Sequence, residues 1–124
     1  MISKNTLLKI ALTEAKKSEY KHRIGCVIFN KNKILSKGYN ISLRSAKRLH
    51  PKFTRWPNSI HAEVNAILSA RTDLNNSTLF IIRINNVDEL RLARPCKFCM
   101  SYLYYVGIRK IIYSSNTGFK EECL

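Results

Sequence analysis

Acidic residues are scarce in this 124-residue chain: eight Asp and Glu stand against 22 Lys and Arg, for a formal charge of +14. The deficit is local. Between Tyr20 and His61 there is no Asp or Glu, while Lys21, Arg23, Lys31, Lys33, Lys37, Arg44, Lys47, Arg48, Lys52 and Arg55 all fall there. Such a field draws phosphates, whether on a nucleotide or on a nucleic acid, although a solvated basic face has the same composition. Long apolar runs are also missing. None approaches the roughly 20 residues that span a bilayer, and Met1 to Lys9 lacks the apolar core of a signal peptide, so no membrane association and a cytoplasmic location are expected. Glycine (4) and proline (3) are too few for a collagen-like or low-complexity chain. The 45% hydrophobic content suits one compact domain over residues 1–124, too short for two. Four cysteines without an export signal read as thiols or metal ligands rather than a disulfide framework.

Apolar spacing over Asn5 to Ser18 predicts a first helix with Leu8, Ala11, Leu12 and Ala15 inward and Ser3 or Asn5 as its cap. Ile24 to Phe29 and Lys33 to Lys37 read as strands joined by Asn30, Lys31 and Asn32, with Cys26 a small buried thiol in the first. Gly38-Tyr39-Asn40 then leaves the sheet. Ile41 to Ser59 is irregular, basic and broken by Pro51 and Pro57, one long loop of the kind that is commonly functional. Asn58 or Ser59 is placed to cap a helix over Ile60 to Ala70. Thr78 to Ile84 has the composition of a buried strand, and a loop carries Asn85 to Arg94. Cys96 to Val106 reads as a helix ended by Gly107, with Met100, Leu103 and Tyr104 available to pack, followed by a strand over Arg109 to Tyr113. The order α, β, β, α, β, α, β argues for a three-layer α/β/α sandwich around a central sheet. Cys123, next to last, carries no assignment.

Three short motifs matter: His61-Ala62-Glu63, Pro95-Cys96-Lys97-Phe98-Cys99 and Gly38-Tyr39-Asn40. A catalytic zinc wants three protein ligands and a place for water, and one imidazole with two thiolates is an accepted set. His61, Cys96 and Cys99 supply it. A C-x-x-C at a helix start turns both sulfurs the same way, and the positive helix end favours thiolate. Glu63 is close enough to His61 to reach a water on the metal, which is where a general acid/base is needed. Together they fit a metal-activated hydroxide as nucleophile, with a carboxylate beside it to take up and return protons. Each piece alone has a bland reading. His-Ala-Glu is common on solvent-facing helices, C-x-x-C occurs in redox and structural sites, and Gly-Tyr-Asn is a turn.

In that order the motifs resemble the cytidine and deoxycytidylate deaminase superfamily, whose signature is H-x-E followed by P-C-x-x-C, over roughly Asn5 to Tyr113. The resemblance implies a mixed central sheet, one catalytic Zn2+ on His61, Cys96 and Cys99, and Glu63 as proton shuttle. It also implies a sugar contact at Asn40, a backbone contact to the base's carbonyl at Ala62, and a homo-oligomer. His61-Ala62-Glu63-Val64-Asn65-Ala66 and Gly107-Ile108-Arg109-Lys110-Ile111-Ile112-Tyr113 look like the deoxycytidylate branch. Free-cytidine deaminases usually have Cys where this chain has His61, and riboflavin-pathway deaminases have a wider gap between their cysteines. The loop Ile41 to Ser59 departs from the deoxycytidylate pattern. A dCMP-like nucleotide is therefore the expected substrate.

Two other readings stand beside it. A tRNA or single-stranded DNA base deaminase would stack bases on Phe53 and Trp56, interleaved with Lys52 and Arg55. A non-catalytic zinc module binding nucleic acid would need a fourth ligand, for which only His22, His50 or Cys26 is at hand.

Overall fold

Two seven-residue apolar strands, Arg23–Phe29 and Thr78–Ile84, lie at the centre of the molecule because both their faces are covered by helices. The computed structural model describes residues 2–20, 22–42 and 59–124. In chain order its elements are α1 Lys4–Ala15, β1 Arg23–Phe29, β2 Ile34–Tyr39, β3 Ile41–Ser42, β4 Ser59–Ile60, α2 Ala62–Ser69, β5 Thr78–Ile84, β6 Leu90–Arg91, α3 Lys97–Tyr105, β7 Lys110–Ser115 and β8 Gly118–Cys123. The sheet order is β2-β1-β5-β7-β8, with β6 added to the end of β5. All the pairs within it are antiparallel except β5 with β7, which α3 joins as a crossover. The expected mixed sheet is thus present.

Helix α1 covers one face, in a core with Val27, Phe80, Ile82, Ile84 and Ile112. Helices α2 and α3 cover the other, where Cys26, Ile28, Leu79, Ile81 and Ile111 meet Ala62, Ala66 and Leu103. This is the three-layer α/β/α sandwich. Cys26 is fully buried, as expected.

Several local expectations need correction. Ser3 is the cap of α1, its Oγ accepting from the Thr6 N–H at 3.1 Å. The inner face of α1 is Leu7, Ala11, Glu14 and Ala15, with Leu8 and Leu12 only half-buried beside it. Glu14 is tolerated inside because Lys17 reaches its carboxylate at 2.7 Å. Ser59 does not cap α2: it belongs to β4, which pairs with β3, and His61 is the capping residue. Gly38 and Tyr39 do not leave the sheet but end β2. On α3 the buried residues are Cys99, Tyr102 and Leu103. Met100 is half-buried, and Tyr104 lies outside, stacked under Arg109 at 4.7 Å. Strands β6 and β8 were not anticipated, because two residues are too few to show alternation and β8 is mostly polar. Most of the basic loop, residues 43–58 with Phe53 and Trp56, lies outside the described residues.

The height of α2 above the sheet is set at Gly38. A Cβ there would lie 2.6 Å from the Ala66 nitrogen and 2.8 Å from the Ala62 oxygen, both backbone atoms. Two hydrogen bonds lock the same contact: Ser36 Oγ donates to the Ala66 carbonyl at 2.6 Å and Asn65 Nδ2 to the Tyr39 carbonyl at 2.9 Å. Asn65 precedes Ala66 on the helix while Tyr39 follows Ser36 on the strand, so α2 runs opposite to β2. Its N-terminus therefore lies at the Asn40 end of the sheet.

At the outer edge, Arg94 grips Glu122 of β8 through Nε and Nη2 at 2.6 and 3.0 Å, and the Tyr113 hydroxyl donates to the same carboxylate at 2.6 Å. Hydrogen bonds from Arg94 and then Tyr113 pull the Glu122 carboxyl from 4.5 to about 2. Arg94 immediately precedes the Pro-Cys motif, so this clasp ties β8 to the entry of α3.

Two outcomes follow from these contacts. Gly38→Ala should lower stability by about 1–3 kcal/mol, since backbone must move to admit the methyl group; an unchanged thermal melt would refute the close-packing argument. Glu122 has a depressed folded-state pKa, so its contribution is full above its unfolded value and lost as the pH falls. Denaturant midpoints of wild type and Glu122→Gln should differ at neutral pH and converge across the window from 4.5 down to about 2. A difference that persists at the bottom of that window would show that the clasp is not ionic.

Candidate metal centre

The two helices that share a face of the sheet begin in the same way. His61 is the N-cap of α2 and Cys96 the N-cap of α3, each with extended backbone and neither using its side chain to cap the helix. A side chain at that position is free to reach beyond the helix end. Cys99, one turn on, covers the same end of α3 and is buried, whereas Cys96 is exposed.

These three residues converge. His61 Nδ1 lies 3.2 Å from Cys99 Sγ and 3.8 Å from Cys96 Sγ. The three ligand atoms all fall within 4.8 Å of one another, and no other group of His, Cys, Asp or Glu among the described residues meets that condition. Zinc at about 2.3 Å from sulfur and 2.0–2.1 Å from nitrogen needs tetrahedral edges of roughly 3.6–3.8 Å. The triad fits a zinc ion in donor type and in spacing. Neither His22 nor Cys26 joins it as a fourth ligand, and His50 lies outside the described residues.

The electrostatics are those of a ligand set poised to lose protons. The Cys99 thiol donates to Cys96, and with His61 it holds Cys96 down at about 3, where it is a thiolate. The proton retained on Cys99, held by Cys96 and by burial, pushes that thiol far upward. Burial lowers the His61 imidazole, but the hydrogen bond with Cys96 and the charge of Glu63 outweigh it, and the net shift is upward. Glu63, second residue of α2, is 3% exposed. Burial raises its carboxyl above 4.5, and it lies close enough to His61 and Cys96 for their charges to act on it.

Asn40 is buried next to β1, where its Oδ1 accepts from the Ile24 N–H at 3.0 Å and its Nδ2 donates to the His22 carbonyl at 2.8 Å. An amide has two donors and two acceptor positions, so one of each remains for another partner. The Ala62 N–H, first of α2, has no acceptor within its own helix. Sequence reasoning missed the residues that hold this geometry, Gly38, Ser36 and Asn65. Their only signal was the absence of a side chain at Gly38 and two small polar residues facing each other across α2 and β2.

Residues 1–115 match the family model of the cytidine and deoxycytidylate deaminase zinc-binding region. Deoxycytidylate deaminase of Saccharomyces cerevisiae is 27% identical over 93% of this chain and 38% of its own length. That of Schizosaccharomyces pombe is 26% identical over 88% of this chain and 36% of its own. The chain thus spans well under half the length of the curated relatives it matches. Among solved structures, dCMP deaminase from the cyanophage S-TIM5 in complex with dCMP and dUMP has a TM-score of 0.66 at 20% identity, covering 89% of this chain and 79% of that one. Cytidine deaminase from Mycobacterium leprae has a TM-score of 0.61 at 15% identity, covering 98% and 94%. These likenesses establish the fold.

The low pKa of Cys96 has a direct readout. After chelation, alkylation of the Cys96 peptide, followed by mass spectrometry, should stay nearly constant from neutral pH down to roughly pH 4, and adding zinc should suppress it. A thiol at the ordinary value of 9.0 would instead slow tenfold for each unit of acid. That behaviour would sink the thiolate assignment.

Proposed function

We propose that this chain, which belongs to the cytidine and deoxycytidylate deaminase family, hydrolyses the exocyclic amine of a dCMP-like cytosine nucleotide, releasing ammonia and leaving the uracil nucleotide. The observation that carries the reading is Glu63: a carboxylate, 3% exposed, buried beside three converging zinc donors. A purely structural metal site has no use for such a group, and its burial costs free energy that only a task at the site repays.

His61, Cys96 and Cys99 hold the zinc. Bound there, it supplies the Lewis acidity that makes water nucleophilic near neutral pH. Glu63 does the proton work. Raised by burial, its carboxylate is basic enough to take a proton from water as oxygen adds to C4 of the base. The resulting carboxylic acid then gives that proton to N3, and Glu63 next takes the second proton from the new C4 hydroxyl and hands it to the departing amine, whose bond to C4 breaks as the carbonyl forms. Water and the amine become a carbonyl and ammonia, and Glu63 ends as it began. Asn40, with one amide donor and one acceptor still available, contacts the sugar, and the Ala62 N–H holds the carbonyl of the base. Both groups lie at the end of the sheet to which the N-terminus of α2 points, which supports these roles.

The span of the family match over residues 1–115 supports reading the chain as one deaminase domain. The same reading carries a homo-oligomer, as members of the family commonly form. Among the described residues, no helix is long and apolar enough to cross a membrane.

The test is ammonia release by zinc-loaded protein on dCMP, CMP, dCTP, deoxycytidine, cytosine, single-stranded DNA and tRNA. Turnover of dCMP is expected, and Glu63→Ala should keep its zinc while losing about 10²- to 10⁴-fold in rate. A folded, zinc-loaded Glu63→Ala protein that deaminates like wild type would overturn the mechanism. Turnover on polymers alone would replace the nucleotide substrate with a nucleic acid.

A further inference from the structure

Arg83 is the only charged residue in β5, the central strand, and it lies on the face of the metal ligands. Alternation along Thr78–Ile84 puts it on the same side as Leu79 and Ile81, which pack in the core under α2 and α3. The sheet register fixes its position further. Gly38, Cys26, Ile81 and Tyr113 form one row across β2, β1, β5 and β7, with the Ala62 oxygen directly above Gly38. Two residues further out, about 7 Å along the strands, the next row on the same face is Asn40, Ile24, Arg83 and Arg91. Helix α2 points its N-terminus toward this row, so His61 and Glu63 stand at the same end.

The row contains a repulsion that the protein leaves standing. Arg83 and Arg91 are directly opposed across the β5–β6 pair, and like charges in that position destabilise a sheet. Arg91 has Glu89 at 3.1 Å. Among the described residues no carboxylate pairs with Arg83; its Nη2 donates to His22 Nδ1 at 2.8 Å, and its buried Nε has no hydrogen-bond partner at all. Other arginines nearby are treated differently. Arg23 is paired with Asp88 at 2.6 Å and Arg94 with Glu122 at 2.6 Å. A guanidinium with an unused N–H, beside a second guanidinium, matches the paired oxygens of a phosphate.

We propose that Arg83, with Arg91 beside it and His22 orienting it, forms the subsite that takes the phosphate of the substrate. The identity of that substrate rests on the deaminase reading above; the anion subsite itself rests on the row. The β5–β6 hairpin, and not the basic loop of residues 43–58 alone, thereby becomes a determinant of nucleotide over nucleoside.

The experiment is calorimetric binding of dUMP and of deoxyuridine to the zinc-loaded protein, for wild type, Arg83→Gln, Arg83→Lys and Arg91→Gln, with melting curves to confirm folding. Wild type should prefer dUMP by roughly ten- to a hundredfold, the worth of charge-assisted hydrogen bonds to one phosphate. Arg83→Gln should bring the ratio toward one, Arg83→Lys should restore part of it, and Arg91→Gln should reduce it severalfold. If Arg83→Gln does not fold, Arg91→Gln, on the two-residue strand β6 at the end of β5, still decides the matter. Equal binding of the two ligands by wild type, or an undiminished ratio in the folded variants, overturns the subsite. Failure of the deaminase reading appears separately, as wild-type protein that turns over neither dCMP nor deoxycytidine, because the binding ratio needs no turnover.

Discussion

Because Gly38 presents only hydrogen to α2, the backbone of Ala62 and Ala66 settles directly onto β2, and the positions of His61 and Glu63 follow from that contact. The metal ligands come from two separate helices, so their convergence to within 4.8 Å requires both helix starts to be placed to a fraction of an ångström. On the α2 side the placement comes from Gly38, Ser36 and Asn65. On the α3 side it comes from Leu103 in the common core and, at the entry to the helix, from Arg94 held by Glu122. Neither set touches the proposed reacting atoms. Both decide whether the atoms that do are in register.

The charge inside the site is balanced by the same arrangement. Two thiolates and one carboxylate in a buried pocket would repel each other strongly, and in the protein alone the repulsion is answered by keeping one proton on Cys99 and raising Glu63. A divalent cation can replace the Cys99 proton without adding net negative charge, because it brings more positive charge than the proton it displaces. What stays behind is a carboxylate more basic than usual in a site with low effective dielectric. The basicity that suits Glu63 to carrying protons is therefore a consequence of burial beside the ligands, and needs no further device.

The sequence made the metal ligands and Glu63 legible because donor type and spacing are local facts: C-x-x-C and H-x-E each fit within one helical turn. It made β1, β5 and the three helices legible because their apolar periodicity is strong. The failures have one cause, which is that the missing information was non-local. The inward turn of α1 onto Leu7 and Glu14 depends on Lys17 neutralising a buried carboxylate, which periodicity counts as a polar position facing out. Strands β6 and β8 exist because a sheet edge is available to them, and their own residues do not announce it. Gly38 read as a turn because glycine's local preference is for turns, whereas its role is to leave room for a helix 24 or more residues away in sequence. Arg83 lay in plain view as the one charge in an apolar strand, but only the register shows that Arg91 faces it.

The scarcity of acidic residues acquires a sharper meaning at that point. With eight carboxylates for 22 basic side chains, the fold must choose which cations to neutralise. It spends Asp88 on Arg23, Glu122 on Arg94 and Glu121 on Lys110, each at 2.6 Å, in contacts that tie strands and loops together. Glu89 reaches Arg91 from the rim of the hairpin. Arg83 receives none, although it is the most central of the arginines in the sheet. A surplus of positive charge spread evenly would be a general attractant for polyanions. Of the arginines in the sheet strands, Arg23 and Arg91 have a carboxylate and Arg83 has none, and Arg83 stands at the end of the sheet where the zinc donors and Glu63 converge, an arrangement suited to a single phosphate entering one pocket.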